Sequence, residues 1–257
     1  MSLLETENLS VYFGGLAAVK GVTFHLNKGE ILGLIGPNGA GKTTVFNLIT
    51  GFIKPTDGEI FYNDEKISHL PPHLIAKRRI TRTYQKTSLF PNVSVLENVI
   101  IGTHMWTKTR VWGALWRTSK SRQEKEAIEE RGRKILDFMG LKDRWQFLAK
   151  NLPYGEQRKL GIAIAMACYP ELLLLDEPAA GMNPEESLRL MELIRRIREQ
   201  GTTILLVEHD MKVVMGLCER IIVLHYGEKI AEGTPKEISQ DKEVIKVYIG
   251  EDTIATD

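Results

Sequence analysis

At 257 residues, with 34 basic against 33 acidic side chains and a net charge of +1, the chain has no global field to draw it towards nucleic acid. Hydrophobic residues make up 43% and charged ones 26%, the ordinary balance of a globular chain. No uninterrupted apolar run approaches the ~20 residues that cross a bilayer, and the first residues lack the charged-then-apolar pattern of a secretion signal, so membrane association is expected to run through a partner.

Residues 3–13 and 22–26 alternate apolar and polar side chains, as in Val22, Phe24 and Leu26, and predict antiparallel strands. Tyr12 and Phe13 precede Gly14-Gly15; an aromatic here either stacks on an adenine ring or packs on a core, and both readings stay open. Asn27-Lys28-Gly29-Glu30 is a turn leading into Ile31-Leu32-Gly33-Leu34-Ile35, a buried strand. Directly after it, Gly36-Pro37-Asn38-Gly39-Ala40-Gly41-Lys42-Thr43-Thr44 fits G-x-x-x-x-G-K-[ST], with a helix from Thr44 to about Thr50. This context directs backbone N–H groups and the positive end of a helix at one anion. Gly36 and Gly41 allow close approach to a polyphosphate, Lys42 reaches the β- and γ-phosphates, and the Thr43 hydroxyl ligates Mg²⁺. The stretch therefore predicts a nucleoside triphosphate site.

Further on, Lys54 to Gly58 form a turn, Glu59 to Tyr62 a strand, Pro71-Pro72 the start of a helix to about Arg79, and Thr81 to Gln85 a short strand. Ser94 and Glu97 are spaced as a capping box for a helix reaching Thr103. His104 to Gln123 carries Trp106, Trp112 and Trp116 with Lys108, Arg110, Arg117, Lys120 and Arg122, and no acidic residue. It reads either as a contact with a membrane surface or amphipathic partner, or as a helical hairpin with inward tryptophans. A long helix is predicted from Ser121 through Phe138, stopped by Gly140.

Asn151-Leu152-Pro153-Tyr154-Gly155-Glu156-Gln157 opens a helix through about Cys168, where Gly155 and the free N–H groups of the first turn make a second anion site. Leu172-Leu173-Leu174-Leu175-Asp176-Glu177 is a strand buried on both faces that ends in two carboxylates. Beside a phosphate loop this places Asp176 near Mg²⁺ and Glu177 near the water that attacks the γ-phosphate; the alternative is that the pair caps the next helix. That helix opens at Pro184 and ends at Gly201, and Thr202 to Val207 is a further buried strand, delivering Glu208-His209-Asp210 to the same sheet edge. A histidine at that edge reads as functional. Residues 213–218 are helical, 220–224 and 228–231 a strand pair, and Thr234-Pro235 starts the last helices. Cys168 and Cys218 sit in apolar surroundings without a CxxC pattern and read as reduced core thiols.

Taken together, these segments resemble the ATP-binding subunit of an ATP-binding cassette (ABC) transporter over essentially the whole chain. Gly36 to Thr44 is similar to the Walker A loop, Gln85 to the Q-loop, Leu152 to Gln157 to the signature motif, Leu172 to Glu177 to the Walker B strand, Ala180 to Asn183 to the D-loop and His209 to the switch histidine. The resemblance implies an α/β P-loop NTPase (RecA-like) core with an antiparallel β subdomain, over 1–87 and 157–257, and an inserted α-helical subdomain, 88–156. It implies ATP and Mg²⁺ as ligands, with Phe13 against the adenine, Thr43, Gln85 and Asp176 on the metal, and Glu177, His209 and Gln85 in catalysis. Two such domains would sandwich each ATP between one Walker A loop and the other subunit's signature helix, with Gly155, Glu156 and Gln157 contributing there. The implied partners are integral membrane permease subunits, a second ATPase subunit or a second copy of this chain, and indirectly a periplasmic or extracellular solute-binding protein. Nucleic acid is not expected, and the implied location is peripheral, on the cytoplasmic face of the membrane.

Arg82-Thr83-Tyr84-Gln85, Tyr154-Gly155-Glu156-Gln157-Arg158, Glu177 to Pro184 and Val247-Tyr248-Ile249-Gly250 narrow the resemblance to branched-chain amino-acid importers. Importers of urea or amides, the lipopolysaccharide export ATPase and soluble ABC ATPases are the alternatives. Against the broad family pattern, Pro153 stands where a serine hydroxyl is usual and Asn183 where the D-loop carries an aspartate. The first loses a phosphate donor, on the order of 1.5–3 kcal/mol.

Overall fold

The computed structural model describes residues 1–83, 89–103 and 119–252; the expectations for Gln85 and for most of the tryptophan-rich stretch lie outside these residues. In chain order the elements are β1 (Ser2–Phe13), β2 (Leu16–Asn27), β3 (Ile31–Ile35), α1 (Lys42–Ile49), β4 (Asp57–Tyr62), β5 (Glu65–Lys66), α2 (Pro72–Lys77) and β6 (Ile80–Arg82). They continue as α3 (Val95–Gly102), α4 (Ser119–Phe138), α5 (Tyr154–Met166), β7 (Leu172–Asp176), α6 (Pro184–Glu199), β8 (Thr203–Val207), α7 (Met211–Leu217), β9 (Arg220–His225), β10 (Glu228–Gly233), α8 (Pro235–Gln240) and α9 (Lys242–Asp252). Two compact units emerge, one of residues 1–82 with 171–257 and one of residues 83–170.

The first unit holds two sheets. A four-stranded antiparallel sheet runs β2-β1-β4-β5, and a six-stranded sheet runs β10-β9-β3-β8-β7-β6. In the second sheet, β9, β3, β8, β7 and β6 are parallel, with β10 antiparallel on one edge. Every residue of β3, β7 and β8 is buried, as their apolar runs require of strands covered on both faces, and the burial extends to Thr203 at the start of β8 and Asp176 at the end of β7. Phe46, Leu48 and Ile49 of α1 join Leu4, Leu26 and Ile60 of the antiparallel sheet and Leu34, Leu174 and Leu205 of the parallel sheet in one core. Burying each such side chain contributes about 1.5–3 kcal/mol, so α1 is clamped by both sheets along its length.

Parallel pairing fixes what arrives where. Leu34 of β3 lies opposite Val207 of β8, and Val207 lies opposite Asp176 of β7. The three strand ends therefore form one row, and the residues that follow them leave the sheet at the same edge.

The second unit is helical. Ser94 Oγ accepts from the Glu97 N–H at 3.1 Å while the Glu97 carboxylate accepts from the Ser94 N–H at 2.7 Å, which is the capping box foreseen from the spacing. Asn98, fully buried, accepts from Phe90 N and donates to Phe90 O and Ser94 O, tying the preceding loop to α3. The unit takes in the whole of α5, which packs on α3 and α4, whereas the sequence reading divides that helix after Glu156. Among the described residues no helix is long and apolar enough to cross a membrane.

Candidate active site

The loop after β3 is built for close backbone approach. Gly36 has φ +149°, and a Cβ there would lie 2.2 Å from the Leu224 carbonyl oxygen; at Gly41, φ +101°, it would lie 2.6 Å from the Ala18 carbonyl oxygen. Neither position admits a side chain without backbone movement. Gly41 caps α1 without a side chain, and no acidic residue occupies the first turn, so the partial positive charge at this helix end is left for an anion. The sequence starts the helix at Thr44, whereas it begins at Lys42, with the Lys-Thr-Thr run inside its first turn. Lys42 is buried and its Nζ donates to Gly36 O at 2.5 Å and Pro37 O at 2.8 Å, so the ammonium lies inside the curve of its own loop. Pro37 and Ala40 are buried beside it, while Asn38, Gly39 and Thr43 are exposed and Thr44 is half-buried.

The loop is braced from behind by the β9–β10 turn. Gly227 N donates to Ala40 O at 3.1 Å, and Gly227 O accepts from Lys20 N at 2.8 Å. The sequence predicts a strand pair at 220–224 and 228–231 and no role for the residues between them; the contact of Gly227 with the phosphate loop follows from β9 lying beside β3. Phe13, at the end of β1, is 52% exposed, which leaves its ring face available and removes the reading that it packs on a core.

Asp176 ends β7 and is buried; its Oδ2 accepts from Arg82 Nη2 at 2.7 Å. Arg82 also donates to Asn47 Oδ1 at 2.6 Å and lies over the Phe46 ring. No sequence pattern pointed to Arg82 as the neighbour of Asp176; the parallel pairing of β6 with β7 brings it there. Glu177 follows in a left-handed backbone conformation, φ +46°, that a glutamate rarely adopts. Its N–H donates to Val207 O at 2.9 Å and its carbonyl accepts from Ala180 N at 3.2 Å, so the bend is held on both sides. His209 Nδ1 lies 3.8 Å from Glu177 Oε2, and the histidine side chain is 62% exposed. Glu177 and His209 are thus brought together, as the common sheet edge implied.

Glu208, which sequence reading left unassigned, precedes His209 at the end of β8. Its side chain is buried, Oε1 accepting from Ala179 N at 2.7 Å and Oε2 from His209 N at 3.1 Å. Burial pushes its carboxyl above the ordinary glutamate range, against the pull of the Ala179, His209 and Asp210 N–H groups.

In the helical unit, Pro153 caps α5 with extended backbone and no side-chain bond, and Gly155 is buried in the first turn. Glu156 pairs with Arg144 at 3.2 Å, and Gln157 Nε2 donates to Leu152 O at 2.9 Å. Tyr154 accepts at its hydroxyl from Arg158 Nε at 3.0 Å and Nη2 at 2.6 Å. Asn183 caps α6: its Oδ1 accepts from Glu186 N at 2.9 Å while the Glu186 carboxylate accepts from Asn183 N at 3.1 Å.

Residues 19–180 match the ABC transporter family. The chain belongs to that family. Residues 228–253 match a second description, branched-chain amino acid ATP-binding cassette transporter. The chain is 46% identical over 250 residues to the high-affinity branched-chain amino acid transport ATP-binding protein LivG of Escherichia coli K12, covering 97% of this chain and 98% of that one. A crystal structure of the ADP conformation of an ATP-binding cassette of an ABC transporter superposes with a TM-score of 0.85 at 31% identity, over 97% of this chain and 99% of that one. A dimeric ATP-binding cassette in a post-hydrolysis state with ADP and Pi superposes at 0.76 with 26% identity, over 91% and 99%. The protein is therefore an ABC ATPase, an ATP-binding and ATP-hydrolysing transporter subunit with the P-loop NTPase fold.

Proposed function

We propose that this ABC ATPase drives uptake of branched-chain amino acids or closely related small solutes, working on the cytoplasmic face of the membrane beneath permease subunits. The cargo reading is supported by the relative's name and by the match at residues 228–253. The catalytic reading is carried by one observation: the row Leu34, Val207 and Asp176 delivers the phosphate loop, Glu177 and His209 to one edge.

In this reading Gly36, Pro37, Asn38, Gly39, Ala40, Gly41, Lys42, Thr43 and Thr44 wrap the triphosphate, and Phe13 stacks on the adenine. Thr43, Asp176 and Gln85 hold Mg²⁺. The donor set fits, being a hydroxyl, a carboxylate and an amide, and among the described residues no cluster of three His, Cys, Asp or Glu side chains forms an all-protein cage. Magnesium is a hard cation bound by few carboxylates plus substrate phosphates, so this set suits it. Bound there, the metal supplies charge neutralisation at the phosphates. Glu177 takes or orients the proton of the attacking water, His209 contacts the γ-phosphate, and Lys42 turns from its loop carbonyls to the phosphate oxygens.

The chain works as a pair, with a second ATPase subunit or with itself; the dimeric relative supports that arrangement. Gly155, Glu156 and Gln157 on α5 then meet the partner's nucleotide, and ATP favours the closed pair because it touches both halves. A solute-binding protein outside the membrane hands cargo to the permease. The deciding test is Glu177→Gln: nucleotide binding persists while turnover falls at least ~100-fold, and near-normal turnover rejects the catalytic reading. Co-purification of permease subunits from native membranes tests the transport reading, and recovery of soluble chains alone rejects it.

A further inference from the structure

Glu208 is a buried carboxylate at this sheet edge to which the mechanism above gives no work. Burying a charge is costly unless it is well compensated, yet Glu208 is 1% exposed and, among the described residues, no lysine or arginine pairs with it. What it does have is a specific geometry. One oxygen takes the Ala179 N–H, two residues beyond Glu177, and the other takes the N–H of His209. The bend at Glu177 is a strained backbone conformation that persists only where its surroundings over-determine it. Val207 O fastens the front of that bend to β8, and Glu208 fastens its far side to the end of the same strand.

We infer that Glu208 is a positioning residue for hydrolysis: its carboxylate bridges the backbone carrying Glu177 to the backbone carrying His209, so that both groups keep one geometry at the γ-phosphate. The inference rests on the roles proposed above for Glu177 and His209. A carboxylate is required because two acceptors must face two N–H groups on different segments; a hydroxyl offers a single oxygen, and an amide turns a donor towards one of the N–H groups. The side-chain oxygens of Glu208 accept from backbone N–H groups, so in this reading it acts through its neighbours.

The test is steady-state ATPase activity of the full-length chain, with affinity for a fluorescent ATP analogue measured in parallel, for Glu208→Gln, Glu208→Ala and Glu177→Gln. Glu208→Gln keeps one acceptor and is expected to lower kcat about tenfold, and Glu208→Ala about a hundredfold, with nucleotide affinity and KM within about twofold of the parent. Unchanged kcat in Glu208→Gln overturns the inference. So does a fall in affinity that tracks the fall in kcat, since that marks general damage to the site rather than lost alignment. If Glu208→Ala fails to fold, the kcat against KM split of Glu208→Gln decides alone. Full turnover by Glu177→Gln would instead strike down the catalytic reading itself. An inactive Glu177→Gln beside a fully active Glu208→Gln would strike down only the role of Glu208.

Discussion

Arg82 and Asp176 form a buried ion pair at the end of the parallel sheet, Nη2 to Oδ2 at 2.7 Å, with side chains only 5% and 7% exposed. Removing one partner from such a pair leaves an uncompensated charge and typically costs about 3–5 kcal/mol. Arg82→Ala is therefore expected to lose stability of that order in urea unfolding of the nucleotide-free chain. Because Asp176 then loses the Arg82 guanidinium, millimolar Mg²⁺ is expected to restore more stability to the variant than to the parent. An equal response of both chains to Mg²⁺ would separate Asp176 from the metal.

Much of this was legible from sequence because the signals were local. Gly36 to Thr44 announces its own turn chemistry, and Ser94 with Glu97 announces its own cap. The runs 31–35, 172–175 and 204–207 carry no polar side chain, which suits doubly covered strands. What could not be read was set by pairing between distant segments. Arg82 reaches Asp176 because β6 lies beside β7, and Gly227 reaches Ala40 because β9 lies beside β3. Glu208 looked like one more polar residue before a histidine; its meaning lies in the Ala179 N–H, 29 positions away. Only the family resemblance prefers Phe13 to Tyr12, and both side chains are exposed.

Pro153 leaves α5 without a side-chain cap. Restoring a capping hydroxyl with Pro153→Ser is expected to stabilise the chain by about 1 kcal/mol, read as a shift in its chemical unfolding midpoint. If the proposed composite site forms with this helix start, the substitution also returns a phosphate donor there, and turnover is expected to rise. A stabilised variant with unchanged turnover would show that the remaining N–H groups already suffice. Asn183, by contrast, already completes a capping box with Glu186, so Asn183→Asp is expected to leave the unfolding midpoint within experimental error.

The two thiols give a pH test. Burial pushes the Cys218 thiol up to about 12, and burial also raises Cys168, whose Sγ donates to Gly102 O at 3.1 Å. At about pH 8 a thiol with a pKa of about 12 is roughly one part in ten thousand thiolate, against about a quarter for an ordinary cysteine. Maleimide labelling of the folded chain is therefore expected to be far slower than labelling of the urea-unfolded chain. The folded-state rate should climb with pH rather than level off near pH 9. Rapid labelling of Cys218 in the folded state at neutral pH would contradict its burial.

The row of Leu34, Val207 and Asp176 works like the aligned marks of a vernier scale. A slip of β7 by a single residue would either carry Glu177 into the seat of Asp176 and Pro178 into that of Glu177, or set Leu175 where Asp176 stands. Length changes inside β7 or β8 should thus be far more damaging than changes of side chain within them, and variation that survives selection should collect in the connections, where a residue more or less leaves the alignment untouched.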